Sequence, residues 1–181
     1  MESSGSSGGT SDKPLNEIQI LGVLSDTHDR ADAAAAGIAT LRAAGAEFFI
    51  HCGDVGGERI LDLLAGIPCI FVWGNNDYDR KSLARYAREL RIQCGDDFAE
   101  LQIGGKKIAV THGDNPNLIR NAITPEKKFD YLFVGHTHVR ANERIGQVRM
   151  VNPGALHRAA TKTVAVVDLK TDSVRHLAVK I

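Results

Sequence analysis

Short apolar runs alternate with stretches of helical periodicity along the first half of the chain. The apolar runs predict β-strands at residues 18–24, 48–51 and 69–73. Apolar residues that recur three or four positions apart predict helices at residues 33–44, 60–64 and 83–90. This alternation is typical of βαβ units, so we expect a parallel sheet with helices packed on it.

The pattern changes after Gly95, where strands follow one another more closely. Two apolar runs, 98–103 and 106–111, flank the pair Gly104-Gly105, which is typical of a β-hairpin. A helix is predicted at residues 117–123, and further strands at residues 131–134, 141–145, 148–151, 163–169 and 174–179. We expect these strands to form a second sheet, mixed or antiparallel, that shares a core with the first.

The N-terminal residues 1–13 are rich in Ser and Gly, which predicts a disordered tail. Residues 14–181 are then expected to form one domain, because a chain of 181 residues leaves no room for two full domains. The chain begins without the basic and apolar regions of an export signal. Its longest apolar run, 67–73, is too short to cross a membrane, so a cytoplasmic location without membrane contact is expected.

The composition is that of an ordinary globular protein, with 43% hydrophobic and 24% charged residues. The 22 basic residues match 22 acidic ones, so no general positive field attracts a polyanion and no stable nucleic-acid partner is expected. Cys52, Cys69 and Cys94 show no CxxC spacing, which favours buried apolar roles in a reducing compartment over disulfides or a zinc ribbon. The one unusual count is seven histidines.

Five of the predicted strands end in polar residues of the kinds that bind metal ions. These residues are Asp26 and His28, His51 and Asp54, Asn75 and Asp77, His112 and Asp114, and His136 and His138. Because ligands bind at the carboxyl ends of strands in α/β sheets, the five ends are expected to converge on one site. Imidazole, carboxylate and amide ligands without thiolate suit Mn²⁺, Fe, Co, Ni or Zn²⁺. Their number exceeds the needs of one tetrahedral ion and suits two ions that share a carboxylate.

The order of these motifs resembles the signature of a known enzyme family, the calcineurin-like metallophosphoesterases, and the short spacings resemble its small YfcE-type branch. The motifs are Asp26-x-His28, Gly53-Asp54, Gly74-Asn75-x-Asp77, His112-Gly113 and Gly135-His136-x-His138, with Asn152-Pro153-Gly154 resembling a turn of that branch. The resemblance implies a single α/β domain, built as a four-layer α/β/β/α sandwich of two mixed sheets. It also implies a dinuclear metal-dependent phosphodiesterase.

Carried over by motif, the resemblance implies two divalent ions, with Mn²⁺ as the first expectation. Asp26, His28, Asp54 and His138 would bind one ion, and Asp54, Asn75, His112 and His136 the other, with Asp54 as the bridge. A metal-bridging hydroxide would attack the phosphorus of a small or flexible phosphodiester. The expected catalytic residues are Asp54, Asn76, Asp77 and His112, and the expected substrate contacts are Asn75, Asn76 and Asn115.

One position departs from the family pattern. Many members have a His after the motif Asn, thought to protonate the leaving group, whereas this chain has Asn76. An amide donates a hydrogen bond but supplies no proton at neutral pH, so Asp77, His157 or the substrate itself would have to serve as the acid.

Other functions remain open at this point. A phosphomonoesterase or a nucleotide pyrophosphohydrolase would use the same metals, and a non-catalytic interaction scaffold of the retromer-subunit type would share the fold. His51 and His176 are expected to be structural, whereas His157 is left open between an exposed loop position and a substrate contact. By analogy with small relatives, assembly into a homo-oligomer is also left open.

Overall fold

A computed structural model describes residues 13–181 of the chain. The predicted tail, residues 1–13, therefore lies outside the described residues except for Lys13, whose ammonium group pairs with the carboxylate of Glu47.

The order of elements in the first half follows the predicted alternation. After a short 3₁₀ turn at Leu15–Glu17 come β1 (Ile20–Leu24), α1 (Ala31–Ala43), β2 (Phe48–His51), α2 (Glu58–Leu64), β3 (Cys69–Phe71), α3 (Arg80–Glu89) and β4 (Gln93–Cys94). Every strand and helix predicted here is present. The strand β4 was not predicted, because it is only two residues long and its first residue, Gln93, is exposed.

The second half contains seven strands and one helix. They are β5 (Phe98–Ile103), β6 (Lys106–Thr111), α4 (Pro116–Ala122), β7 (Tyr131–Phe133), β8 (Ala141–Ile145), β9 (Val148–Asn152), β10 (Thr163–Asp168) and β11 (Ser173–Ala178). The predicted hairpin is present, with Phe98 paired to Thr111 and Ile103 to Lys106 in an antiparallel register.

The strands form two mixed sheets. The first has the order β11-β10-β1-β2-β3-β4, in which β1 to β4 are parallel and β10 and β11 are antiparallel to their neighbours. The second has the order β5-β6-β7-β9-β8, with a parallel centre and an antiparallel strand at each edge.

The prediction that the last two strands belong to the second sheet was wrong. Strand β10 lies between β1 and β11 in the first sheet. Its side chains alternate between two buried surroundings, because Val164 and Val166 pack with the helices while Ala165 and Val167 pack between the sheets. A strand buried on both faces has no polar alternation, so the sequence pattern could not show which sheet it joins.

Three apolar clusters separate four layers of structure. One lies between the first sheet and helices α1 to α3, and includes Leu41 and Phe71. The second lies between the two sheets and includes Val23 and Ile108. The third packs α4, through Ala122, against the second sheet. The result is the α/β/β/α sandwich that the family resemblance implied.

The cysteine prediction holds for two of the three residues. Cys52 and Cys69 are buried, Cys94 is half-buried, and all three thiols are free. No helix within residues 13–181 combines the length and apolar character that a bilayer crossing requires.

Helix α1 approaches strand β1 closely at Gly22. A Cβ atom at this position would lie 2.9 Å from Cβ of Ala46 and 3.1 Å from Cδ1 of Leu41. Glycine here lets the helix pack directly on the strand whose carboxyl end carries Asp26 and His28. Close packing in the middle of β1 thus helps to fix the loop that follows the strand.

We expect Gly22→Ala to destabilise the fold by about 1–3 kcal/mol, because the added methyl group overpacks the contact between α1 and β1. Urea unfolding followed by circular dichroism measures the change. The control is Ala35→Gln on the exposed face of α1, which should change stability by no more than about 0.5 kcal/mol. Equal stability of the two variants would contradict the close-packing interpretation.

Candidate metal centre

The carboxyl ends of five strands from both sheets meet at one edge of the sandwich. Loops after β1, β2 and β3 come from the first sheet, and loops after β6 and β7 come from the second. The loops after β1, β2, β3 and β7 border an open cavity of about 460 Å³, which we call the site cavity. Its walls include His28, Asp54, Asn76, His136 and His138. The structure therefore brings together motifs that are more than a hundred residues apart in sequence.

One cluster in this cavity consists of Asp26, His28 and His138. One ligand atom from each residue lies within 4.8 Å of the other two. Oδ1 of Asp26 is 3.2 Å from Nε2 of His138. The carboxyl group of Asp26 is fully buried, and its other oxygen accepts a hydrogen bond from the backbone N–H of His136, at 3.2 Å.

A second cluster surrounds Asp54. Oδ2 of Asp54 is 3.4 Å from Nε2 of His112 and 3.4 Å from Nε2 of His28. Oδ1 of Asn75 is 3.1 Å from Nε2 of His112 and 3.0 Å from Nδ1 of His136. Asp54 thus lies between the two groups of residues that the resemblance assigns to separate ions.

The buried atoms of this site lack the partners that a closed hydrogen-bond network would give them. Within residues 13–181, Oδ1 of Asp26 and Nε2 of His28 are buried without a hydrogen-bond partner. No lysine or arginine of this part of the chain forms an ion pair with Asp26 or Asp54. Buried polar atoms are normally satisfied, so electron-pair donors that point at one another fit a site built for cations.

The carboxylates and histidines strongly perturb one another. Burial raises the pKa of Asp26. Burial would also raise the pKa of Asp54, but hydrogen bonds with His112 and Asn76 outweigh it and hold this pKa far below its usual range. Burial opposes protonation of His112, yet the neighbouring Asp54 raises its pKa. A positive charge is therefore favourable beside Asp54, whether a proton or a metal ion carries it.

Hydrogen bonds from the surrounding backbone orient the ligand atoms. Nδ1 of His112 lies 2.8 Å from the backbone carbonyl of Cys52, so the ring donates from Nδ1 and turns Nε2 towards Asp54. Such a bond fixes the tautomer of a metal-binding imidazole. Asp54 in turn accepts hydrogen bonds from the backbone N–H and the side-chain amide of Asn76, both at 2.8 Å.

Several of these residues have backbone angles in the left-handed region. The φ angles are 55° at Asp26, 44° at His28, 54° at Asp54, 66° at His136 and 59° at His138. Such angles are uncommon outside glycine and cost roughly 1–3 kcal/mol each, so the surrounding structure must hold them in place. Sharp turns after each strand allow the side chains to point back at a common centre.

Asp77 holds two loops of the site together. Its buried carboxylate accepts hydrogen bonds from the backbone N–H groups of Val55, Gly56 and Gly74, at 3.2, 2.8 and 2.8 Å. Asp77 therefore positions the loops after β2 and β3. Its expected catalytic role stays a prediction.

The other predicted site residues divide between the cavity and its surroundings. Asn76 lines the site cavity and contacts Asp54. Asn115, a predicted substrate contact, instead caps helix α4 and accepts a hydrogen bond from the N–H of Asn117, at 3.0 Å. Asp114 is exposed and does not line the site cavity. The loop after His112 thus leaves the site within a few residues.

The two histidines expected to be structural are indeed buried or half-buried and hydrogen-bonded. Nε2 of His51 is 2.9 Å from Oγ1 of Thr27, and burial lowers the pKa of His51 to about 3. His176 donates to the backbone carbonyl of Asn152 at 2.8 Å, which ties the two sheets together. His157, which was left open, lines the site cavity, with its ring centroid 5.0 Å from that of His28.

Two residues that are not among the predicted site residues support the site. Asn152 is buried, and its amide donates to the carbonyl of Gly135 at 2.7 Å and to Oγ1 of Thr137 at 3.1 Å. It therefore holds the loop that carries His136 and His138. Arg80 donates to the carbonyls of Gly74 and Asp77, at 2.9 and 3.1 Å, and so clamps the loop after β3. Its position in the first turn of α3 gave no signal of this role.

Comparison with known proteins agrees with this geometry. Residues 20–172 match the model of the calcineurin-like phosphoesterase superfamily domain. The phosphodiesterase MJ0936 of Methanocaldococcus jannaschii is 28% identical over 165 residues, which cover 88% of this chain and 99% of that protein. A solved archaeal phosphodiesterase superposes with a TM-score of 0.80 at 26% identity, covering 88% of this chain and 99% of the other.

A solved structure of lower identity also shares the fold. Vps29 of Entamoeba histolytica, solved in complex with Zn²⁺, has a TM-score of 0.59 and 16% identity, over 88% of this chain and 98% of its own. That level of identity shows a common fold alone. The family match, in contrast, covers most of the chain and includes every strand that carries a motif. The chain belongs to the calcineurin-like phosphoesterase superfamily.

Proposed function

We propose that the protein is a dinuclear metal-dependent phosphodiesterase that hydrolyses a small or flexible phosphodiester. The observation that carries the proposal is the position of Asp54, whose Oδ2 is 3.4 Å from Nε2 of both His28 and His112 without a lysine or arginine partner in residues 13–181. The activity of the M. jannaschii relative supports the same reaction for this chain.

The donor set suits two ions that share one carboxylate. Asp26, His28 and His138 would complete one site with Asp54, and Asn75, His112 and His136 would complete the other with the same carboxylate. When bound, two divalent ions lower the pKa of a water molecule and neutralise charge on the phosphate oxygens. Mn²⁺ is our first candidate, with Ni²⁺, Fe, Co and Zn²⁺ also compatible with imidazole and carboxylate ligands.

The chain itself prepares this site before substrate arrives. Asn76 holds the carboxylate of Asp54 through two hydrogen bonds, and the carbonyl of Cys52 fixes the ring of His112. Since these groups need no rearrangement when negative charge develops on the phosphate, the site is preorganised for the transition state. Asn76 also lines the site cavity, so its amide would be able to contact a phosphate oxygen of the proposed substrate.

The open cavity favours a substrate with two organic arms. The site cavity is open, so both sides of a phosphate bound at the proposed metal centre would be accessible to solvent. A diester needs space on both sides of phosphorus, whereas a monoester needs it on one. We therefore favour a small-molecule diester over a phosphomonoester or nucleotide pyrophosphate. We also favour enzyme activity over a scaffold role, because every proposed ligand position holds a side chain that can bind a metal ion. We further propose that the enzyme works in the cytoplasm.

We expect divalent metal to stabilise the protein, because ions that bind only the folded state shift the unfolding equilibrium. At about a hundred times the dissociation constant, the gain is roughly 2.7 kcal/mol, or about 5–10 °C in melting temperature for a chain of this size. Differential scanning fluorimetry after chelation and after Mn²⁺ addition measures it. The variant Asp54→Asn should lose most of this response and bind less metal by mass spectrometry.

The matched control is Asp114→Asn, an exposed carboxylate two residues beyond His112 in the same loop region. It should retain the full metal response and the hydrolysis of an activated aryl phosphodiester, whereas Asp54→Asn should lower that hydrolysis by about 10²–10³-fold. If Asp54→Asn and wild type bound equal metal and hydrolysed the diester equally, the proposed function would be wrong.

We expect the hydrolysis rate to fall steeply as the leaving group becomes less acidic, because Asn76 supplies no proton. Rates for a series of aryl methyl phosphodiesters with leaving groups of different pKa measure this slope. Asn76→His should flatten it, since an imidazole can donate a proton to the leaving oxygen. Aryl phosphomonoesters in the same series compare the two classes of substrate.

The control for the slope is Asn121→His, which adds a histidine at an exposed position of α4. It should keep the steep slope of wild type. A shallow slope in wild type would show that another group, such as His157, protonates the leaving group, and faster turnover of monoesters than of diesters would favour the phosphomonoesterase alternative.

A further inference from the structure

Three adjoining cavities cross the candidate metal centre. The site cavity shares Gly56, Asn76 and Tyr78 with a second cavity of about 360 Å³, which we call the Tyr78 cavity. On its other side it shares His138 and Arg158 with a third cavity of about 440 Å³, which we call the Arg140 cavity. The metal centre therefore lies in the middle of a groove that continues in both directions.

Tyr78 presents a free aromatic ring at one end of this groove. Its side chain is 84% exposed, the largest value among the exposed large apolar residues of the described chain. Its hydroxyl donates to Oδ1 of Asn76 at 3.2 Å, which anchors the ring beside the residue that holds Asp54. Single exposed apolar side chains are common, but a hydrogen bond holds this one in the wall of the site cavity. Such a ring offers a face on which a planar group can stack.

The two ends of the groove differ in charge. Glu58 and Asp79 line the Tyr78 cavity. Arg140 and Arg158 line the other end, whose walls contain no aspartate or glutamate. Neither arginine forms an ion pair with any residue in 13–181. A negatively charged group is therefore repelled at the end with Tyr78 and attracted at the end with the two arginines.

We propose that the substrate is an extended diester of the dinucleotide type, which lies along this groove. Its scissile phosphate occupies the metal centre, an uncharged aromatic base on one arm stacks on Tyr78, and a second phosphate on the other arm binds between Arg140 and Arg158. Arginine suits this role because its planar guanidinium makes paired hydrogen bonds to phosphate oxygens. The inference rests on the proposed function for the reaction and adds the substrate class and its orientation.

The reaction consumes one water molecule and needs no other reactant. The oxygen of water forms a new bond to phosphorus, and the P–O bond to the leaving arm breaks. The leaving oxygen receives its proton from solvent, which reaches both arms through the open groove. The products are a nucleotide and a nucleoside or a second nucleotide, according to which arm leaves.

Matched dinucleotides separate the two ends of the groove. The first substrate is a dithymidylate diester without a terminal phosphate. The second kind is the same diester with a terminal phosphate at its 5′ or its 3′ end. The third kind is each phosphorylated diester with an abasic sugar in place of one of its two thymidines. The kcat/KM value of the Mn²⁺-loaded enzyme is measured for each. We expect wild type to favour the phosphorylated dinucleotide over the unphosphorylated one, and the dinucleotide with a base at the uncharged arm over its abasic form.

The variants should change these two preferences separately. Arg158→Gln and Arg140→Gln should each reduce the preference for the terminal phosphate by about five- to tenfold, while the preference for the base stays. Tyr78→Leu should reduce the preference for the base by about tenfold, and Tyr78→Phe should keep it because the ring is retained. Arg42→Gln, an exposed position at the far end of α1 that lines none of the three cavities, should alter neither preference.

Binding measurements distinguish failure of this inference from failure of the proposed function. Calorimetry uses phosphorothioate forms of the dinucleotides, in which sulfur replaces a non-bridging oxygen and slows hydrolysis. We expect the same preferences in the dissociation constants, with the same losses in the variants. Two results would overturn the proposed binding along the groove. One is a wild-type dissociation constant that does not depend on the terminal phosphate. The other is a loss of phosphate preference in Arg158→Gln that is no greater than in Arg42→Gln. Absent hydrolysis with intact binding preferences would overturn the reaction alone.

Discussion

Two buried carboxylates share one small space in this protein. Oxygen atoms of Asp26 and Asp54 and a ring nitrogen of His112 lie within 4.8 Å of one another. Like charges at such a distance repel strongly where water is largely excluded. Histidine side chains lie beside both carboxylates, and no lysine or arginine in residues 13–181 pairs with either of them. The site is thus arranged so that added positive charge, whether a proton or a metal ion carries it, is favourable.

Contacts from the rest of the fold hold this arrangement in place. Five of the proposed ligands have left-handed backbone angles, and such strain persists only where the surroundings fix it. Asp77 and Arg80 bind the backbone of the loops after β2 and β3. Asn152 does the same for the loop that carries His136 and His138. The close contact of α1 with β1 at Gly22 fixes the strand that leads into the loop with Asp26.

Much of this structure could be predicted from the sequence, because strand periodicity and the order of motifs are local signals. The strands that carry Asp26 and His136 were visible as apolar runs that end in polar residues. The sheet that β10 joins was not visible, because its pattern is the same on either face of a fully buried strand. The roles of Asp77 and Asn152 depend on groups from distant loops, which no sequence spacing encodes.

Asn76 shows how one substitution in a motif can serve the site in another way. Both its backbone and its side-chain amide donate to Asp54, one bond to each oxygen, so it fixes the proposed bridging carboxylate from two directions. Its carbonyl oxygen meanwhile accepts from Tyr78. A protonated histidine, the form that can act as an acid, could not reproduce this set, because a ring that donates from both nitrogens has no acceptor for the tyrosine hydroxyl. Loss of the acid at this position and the anchoring of an exposed aromatic ring are therefore two consequences of the same amide. In the proposed enzyme, this residue replaces a proton donor with a fixed platform beside the candidate metal centre, which favours substrates that are recognised through a planar arm.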